Sequence, residues 1–214
     1  METLTLSSPI IVEVVGLPGS GKSFFANGFA DTFGAALVSN DKIRWTLFSK
    51  HTYSKEENAM VDQVADLLIS ELLRTKKTFI LDGGYNSAVA RREMADRARK
   101  NGYQVLTIVV QTDKPTSERR ATHRSDRKIG DQYKQSLTAE QWEQAEKEYV
   151  EPDTMAKNVC VISGKHTYNT QVKSVLRKMI EISGAQQPVK KKTPRKVTGP
   201  RATIQIEKKG PFVG

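Results

Sequence analysis

The chain has 214 residues, 37% apolar and 27% charged, enough for one sizeable core, and no run of about 18 apolar residues that could span a membrane. Its single cysteine, Cys160, permits no internal disulfide and no cysteine zinc site, and no basic segment followed by a long apolar stretch marks a signal peptide, so a cytoplasmic location is expected. The net charge of +10 is uneven: residues 185–214 hold eight Lys or Arg against the single acid Glu207, together with four of the eight prolines. A proline-broken basic segment cannot bury enough apolar surface to order itself. Residues 1–184 therefore read as the folded domain and 185–214 as a disordered basic arm, within which 203–206 alternates in a way that fits a strand.

In chain order, residues 10–15 are a continuous apolar run broken only by Glu13 and predict a buried strand. Gly16-Leu17-Pro18-Gly19-Ser20-Gly21-Lys22-Ser23 follows and fits G-x-x-x-x-G-K-[ST]. Residues 24–33 read as a helix, so the motif sits between strand and helix, where its chemistry needs it. Glycines let backbone N–H groups converge on phosphate oxygens, and the helix N-terminus adds partial positive charge. Lys22 would reach the outer phosphates of a nucleotide and Ser23 would place a hydroxyl on Mg²⁺. Residues 35–39 predict a second strand and 41–49 a helix capped by Asn40 or Asp41. A longer helix is expected over 56–74, with Met60, Val64, Leu67, Leu68 and Leu72 as its apolar stripe.

Residues 78–81 predict a strand ending at Asp82, and 88–101 a helix stopped by Gly102. A strand over 104–110, helices over 116–127 and 139–149, a strand over 159–162 and a helix over 169–182 complete the pattern. Alternating β and α with near-continuous apolar strands predicts a three-layer αβα sandwich built on a parallel sheet. Such sheets bind ligands at the C-terminal ends of their strands, where Gly16, Asn40-Asp41 and Asp82 all fall.

Taken alone, Asp41 reads as a helix cap and Arg44 as a solvated charge. Beside a phosphate loop, the carboxylate of Asp41 could accept the proton of an attacking hydroxyl, and Arg44, one turn on, could hold a substrate phosphate or steady the transferring group. Phe79-Ile80-Leu81-Asp82 resembles a Walker B segment, with Asp82 directed at Mg²⁺; the plainer reading is a turn aspartate before Gly83-Gly84. Arg120, Arg124 and Arg127 share one face of the expected 116–127 helix, which suits a lid over about 115–135 that brings arginines to a transferring phosphoryl group. Either of Arg91 and Arg92 reads as helix surface, Trp45 and Trp142 as packing, and Glu13 as a group reaching the phosphate loop or pairing with a cation. The three histidines have no metal-ligand spacing.

The phosphate loop, the segment Ser39-Asn40-Asp41-Lys42-Ile43-Arg44, Leu81-Asp82 and the arginines of 119–127 together resemble the P-loop kinases related to phage polynucleotide kinase, the AAA and zeta-toxin-type group, over roughly residues 10–182. The resemblance implies ATP, Mg²⁺ and γ-phosphoryl transfer to an alcohol. It implies a nucleotide cradle at Gly16, Pro18, Gly19, Ser20, Gly21, Lys22 and Ser23, with Ser23 and Asp82 toward the metal. Asp41 becomes the general base, Arg44 an acceptor-site residue, and Arg124 the lid arginine, with Arg120 and Arg127 as alternatives. The segment Gly83-Gly84-Tyr85-Asn86 departs from the small polar residues common in that group, and no phosphatase domain accompanies the kinase motifs.

Three readings of function follow. A 5′-hydroxyl polynucleotide kinase accounts for the motifs and for a basic arm suited to phosphate backbones. A kinase for a small hydroxylated molecule such as a nucleoside, sugar or antibiotic fits the same core. A nucleotide-switched nucleic-acid-binding module would need Lys22 but not Asp41.

Overall fold

The computed structural model describes residues 3–124, 133–184 and 202–205, with residues 3–6 and 202–205 described by backbone alone. In chain order the elements are β1 (Thr3–Leu6), β2 (Ile10–Val15), α1 (Lys22–Phe33), β3 (Ala36–Ser39), α2 (Asn40–Leu47), α3 (Lys55–Thr75) and β4 (Phe79–Asp82). Then come α4 (Ala88–Lys100), β5 (Gln104–Gln111), α5 (Lys114–Thr122), α6 (Ala139–Glu148), β6 (Val159–Ser163), α7 (Tyr168–Ser183) and β7 (Ala202–Gln205).

Five strands form one parallel sheet in the order β3-β4-β2-β5-β6. The apolar runs of β2 and β4 are buried along their whole length because helices cover both faces. On one face, Ile10, Val12 and Val14 pack with Phe25 and Phe29 of α1 and Val175 and Met179 of α7. On the other, Ile11 and Phe79 pack with Ile43 of α2, Val61 and Ile69 of α3, and Met94 and Ala98 of α4. The expected three-layer architecture is therefore present.

The strand order places the mouth of the site. After β2 the chain goes outward to β3, returns through β4, and then crosses to β5 on the opposite side of β2. Loops leaving the C-terminal ends of β2, β4 and β5 diverge there and leave a crevice. Side chains set the helix starts: Ser54, Ser87, Asp113 and Thr138 accept hydrogen bonds from the first-turn N–H groups of α3, α4, α5 and α6.

Four expectations need correction. The α2 cap is Ser39, not Asn40 or Asp41, so Asp41 lies inside the first turn with its carboxylate free for other partners. The buried stripe of α3 is Glu57, Val61, Ala65, Ile69 and Leu73, while Met60, Leu67 and Leu68 face outward. Val61, Ala65, Ile69 and Leu73 pack against the sheet face with Val64 and Leu72 at the edge of that core, and Met60, Leu67 and Leu68 point away from it. Helix α5 ends at Thr122, with His123 outside it at φ −120, ψ 63, so Arg120 and Arg124 do not share a helical face. Trp45 is 44% exposed and stacks on His51 rather than packing in a core.

The tail expectation is modified in one place. Ala202–Gln205 pairs antiparallel with Thr3–Leu6, from Thr3 opposite Gln205 to Leu6 opposite Ala202, close to the expected 203–206 strand. The other residues of 185–214, Arg127, and part of the expected lid lie outside the described residues.

Candidate active site

The phosphate loop joins β2 to α1. Gly19 has φ 83, and a Cβ there would lie 2.0 Å from the carbonyl oxygen of Ser117, so only glycine fits between the loop and α5. The loop is fastened from outside. Trp142 Nε1 donates to the Pro18 carbonyl at 3.1 Å and Thr112 Oγ1 to the Ser20 carbonyl at 2.9 Å. Gly164, after β6, lies so close to Ser20 that a Cβ would stand 1.8 Å from its carbonyl oxygen. These contacts set the loop's shape in advance, which reduces the ordering cost of binding a ligand.

Lys22 folds back over the loop, and Nζ donates to the carbonyls of Gly16 and Leu17 at 2.8 and 2.9 Å. Burial, and next the positive charge of Lys134, bring its pKa down to about 8. Lys134 is the residue that the sequence did not reveal. Its Nζ donates to Ser23 Oγ and lies 3.1 Å from Asp41 Oδ2, and its side chain is 16% exposed. Burial works against its charge, but the carboxylates of Asp41 and Asp82 more than offset this and hold its pKa above the ordinary value. Asp82 is buried at the end of β4 and accepts from Ser39 Oγ at 3.4 Å.

Lys22, Ser23, Asp41 and Asp82, named from sequence, therefore lie around one ammonium group supplied by Lys134. A serine hydroxyl and two carboxylates are the hard oxygen donors that Mg²⁺ takes, and the lysine ammonium already stands among them as a cation. The donor set fits the metal.

The arginines divide. Arg44 is buried, and its guanidinium donates to Glu57 Oε1 and, at 2.7 Å, to Asn58 Oδ1, with its Cζ 4.5 Å from the centre of the Tyr53 ring. Burial opposes the charge of Glu57, but hydrogen bonds from Arg44 and Thr52 outweigh it and hold the carboxyl down at about 2. Arg44 is thus neither a solvated charge nor an unengaged ligand. Arg120 donates to the Gly164 carbonyl at 3.1 Å and braces the loop after β6. Arg124 follows α5, where its backbone N–H donates to Ser136 Oγ at 3.1 Å and its Nε to the Ala121 carbonyl at 3.3 Å; its charge bears on Lys22 and Lys134. Arg91 binds the carbonyls of Tyr85, Asn86 and Val150 and so fastens the loop after β4.

Two hollows flank this centre. One of about 590 Å³ lies beside Gly16, Leu17 and Ser20 and is walled by Thr112, Asp113 and Tyr149. The other, of about 280 Å³, is bounded by Asn40 and Gly84 and carries Asp62, Asp66 and Glu93 against the single cation Arg97. Among the described residues Glu13 bonds neither the phosphate loop nor a cation. It is fully buried in the sheet, where Oε2 accepts from Thr107 Oγ1 at 3.1 Å and Oε1 has no partner among the described residues.

A phosphate loop at the switch point of a parallel sheet, with helices on both faces, defines a P-loop kinase-like fold. The chain belongs to the AAA domain family, whose profile matches residues 11–152. No curated protein matches it. Solved structures share the fold. A gluconokinase from Sinorhizobium meliloti has a TM-score of 0.59 at 12% identity, over 85% of this chain and 96% of that one. Kti12 from Chaetomium thermophilum, in complex with ADP-AlF3, has a TM-score of 0.59 at 18% identity, over 80% and 99%. The Pnkp1/Rnl/Hen1 RNA repair complex supplies a chain with a TM-score of 0.55 at 20% identity, over 66% of this chain and 44% of that one. No described helix is long and apolar enough to cross a membrane.

Proposed function

We propose that this protein is an ATP- and Mg²⁺-dependent kinase that transfers the γ-phosphoryl group to an alcohol. The observation that carries the reading is the convergence of Lys22, Ser23, Asp41 and Asp82 from three strand ends onto one cation position. The glycine loop and the α1 N-terminus bind the β- and γ-phosphates, with Lys22 exchanging its two carbonyl partners for phosphate oxygens. The larger hollow beside Gly16 and Ser20 receives the nucleoside. Ser23 and Asp82 would hold Mg²⁺, which would supply positive charge against the nucleotide phosphates. Asp41 accepts the acceptor's hydroxyl proton as the new P–O bond forms and the bond from the γ-phosphorus to the bridging oxygen breaks, releasing ADP. Arg124, whose charge bears on Lys22 and Lys134, meets the charge on the transferring group in this reading, and Arg44 holds the segment carrying Asp41 through Glu57.

For the acceptor, one observation favours a small hydroxylated molecule over a 5′-hydroxyl nucleic-acid end. The smaller hollow opens next to Asn40, the neighbour of Asp41, and its lining carries Asp62, Asp66 and Glu93; Arg97 pairs with Asp66 and Asn40 donates to Asp62, which leaves the lining net acidic. Carboxylate walls repel a phosphate backbone and suit a neutral or cationic polyol. The test is phosphoryl transfer to sugars, amino sugars and nucleosides beside 5′-hydroxyl DNA and RNA. Transfer to a small alcohol supports the reading. Transfer to oligonucleotide ends alone would replace it with the polynucleotide kinase reading, with the basic tail as its nucleic-acid contact.

A further inference from the structure

Lys134 stands where a metal belongs. Its ammonium is bonded to the Ser23 hydroxyl and the Asp41 carboxylate, with Asp82 close enough to act on its charge, and its own charge bears on Lys22. Within the site the carboxylates of Asp41 and Asp82 thus face the charges of Lys22, Lys134 and Arg124. A divalent ion held by Ser23 and Asp82 would share the Ser23 oxygen with the ammonium and lie against its charge, so both cannot occupy the position together. The lysine has a four-carbon stem of rotatable bonds, so Nζ can leave the cluster without any backbone shift.

We propose that Lys134 is an internal counter-ion of the Ser23–Asp41–Asp82 cluster that competes with the divalent cation for it, discourages metal from binding alone, and yields the position when nucleotide and metal arrive together. The proposal rests on placing Mg²⁺ at Ser23 and Asp82 as above. On yielding, the ammonium turns to the nucleotide phosphates, whose negative charge replaces that of the carboxylates and also meets the charges of Lys22 and Arg124. It also leaves Asp41 unpaired and able to accept a proton, so occupation of the metal position and readiness of the base are one event.

The test uses Mn²⁺ as probe on the full chain without nucleotide, with free Mn²⁺ read by electron paramagnetic resonance. Lys134→Met and Lys134→Gln remove the charge with different polarity, and circular dichroism checks that each folds. A neighbouring unit charge shifts an ionic equilibrium by about one to three powers of ten. Both variants should therefore bind Mn²⁺ at least about tenfold more tightly than the parent. Adding Asp82→Asn to Lys134→Met should abolish the gain. Adding ADP should narrow the gap, because nucleotide displaces the lysine in the parent as well. Mn²⁺ affinity unchanged or weakened in both neutral variants would overturn the proposal, as would a gain that survives Asp82→Asn. Failure of the parent chain to bind nucleotide with Mn²⁺, alongside tighter Mn²⁺ binding by the variants, would count against the kinase reading and leave the cation exchange standing.

Discussion

Replacing Glu13 with glutamine should make the protein more stable, and increasingly so as pH rises. Glu13 sits at the centre of β2, fully buried, with one oxygen bonded to Thr107 and the other without a partner among the described residues. Burial, only partly offset by the Thr107 bond and then by the charge of Arg91, pushes its carboxyl from 4.5 up to about 8. In the unfolded chain the carboxyl ionises near its ordinary value. Between those two values the folded state therefore holds a proton that the unfolded state has lost. Stability falls as pH rises through this window and levels off above it. At about 1.4 kcal/mol per pH unit, the loss from pH 5 to pH 8 is on the order of 3 kcal/mol. Glutamine keeps an oxygen for Thr107 and carries no titrating proton. Urea unfolding of both proteins at pH 5, 6, 7 and 8 gives the difference directly, since every other group titrates alike in the two. The difference should grow by about 3 kcal/mol toward pH 8. A gap that does not change with pH would refute the assignment of a neutral buried carboxyl.

Glu57→Gln leaves the buried guanidinium of Arg44 without its anionic partner and should cost about 3–5 kcal/mol in urea unfolding at neutral pH; a loss below about 1 kcal/mol would mean that the pair contributes little. Because the Glu57 carboxyl is held at about 2, its contribution should be present above pH 4.5 and decline as pH falls toward 2. Gly19→Ala places a methyl 2.0 Å from the Ser117 carbonyl at φ 83, displaces the phosphate loop, and should weaken nucleotide binding by about ten- to a hundredfold in calorimetry. Unchanged affinity would show that the loop's fit against α5 does not matter for binding.

The parts of this molecule legible in the sequence are those set by local physics. The glycine spacing of residues 16–23 admits few other uses, and runs such as Ile10–Val15 are long enough to require burial on both faces. The two carboxylates followed because Asp82 closes β4 and Asp41 lies two residues past the end of β3, in the first turn of α2, and both strand ends face the crevice. What was not legible depends on tertiary contact. The α3 stripe was read from its largest apolar residues, whereas the sheet packs against Val61, Ala65 and Ile69. Ser54 and Glu57 carry the spacing of a capping box, and Ser54 does cap α3, but the carboxylate turns instead to Thr52 and Arg44. Trp142 shows only as a lone aromatic, although its indole holds the phosphate loop from a helix 124 residues away in sequence. Lys134 carries no motif at all. Only the fold brings it from a segment between α5 and α6 to the oxygens of Ser23 and Asp41.

The most direct test of the account is transfer of label from γ-labelled ATP with Mg²⁺ to a panel of sugars, amino sugars, nucleosides and 5′-hydroxyl oligonucleotides, run beside Asp41→Asn. The account predicts label on a small alcohol, with the variant slower by about 10²–10⁴ while its nucleotide affinity is retained. No transfer to any acceptor, or equal turnover in the variant, would contradict it.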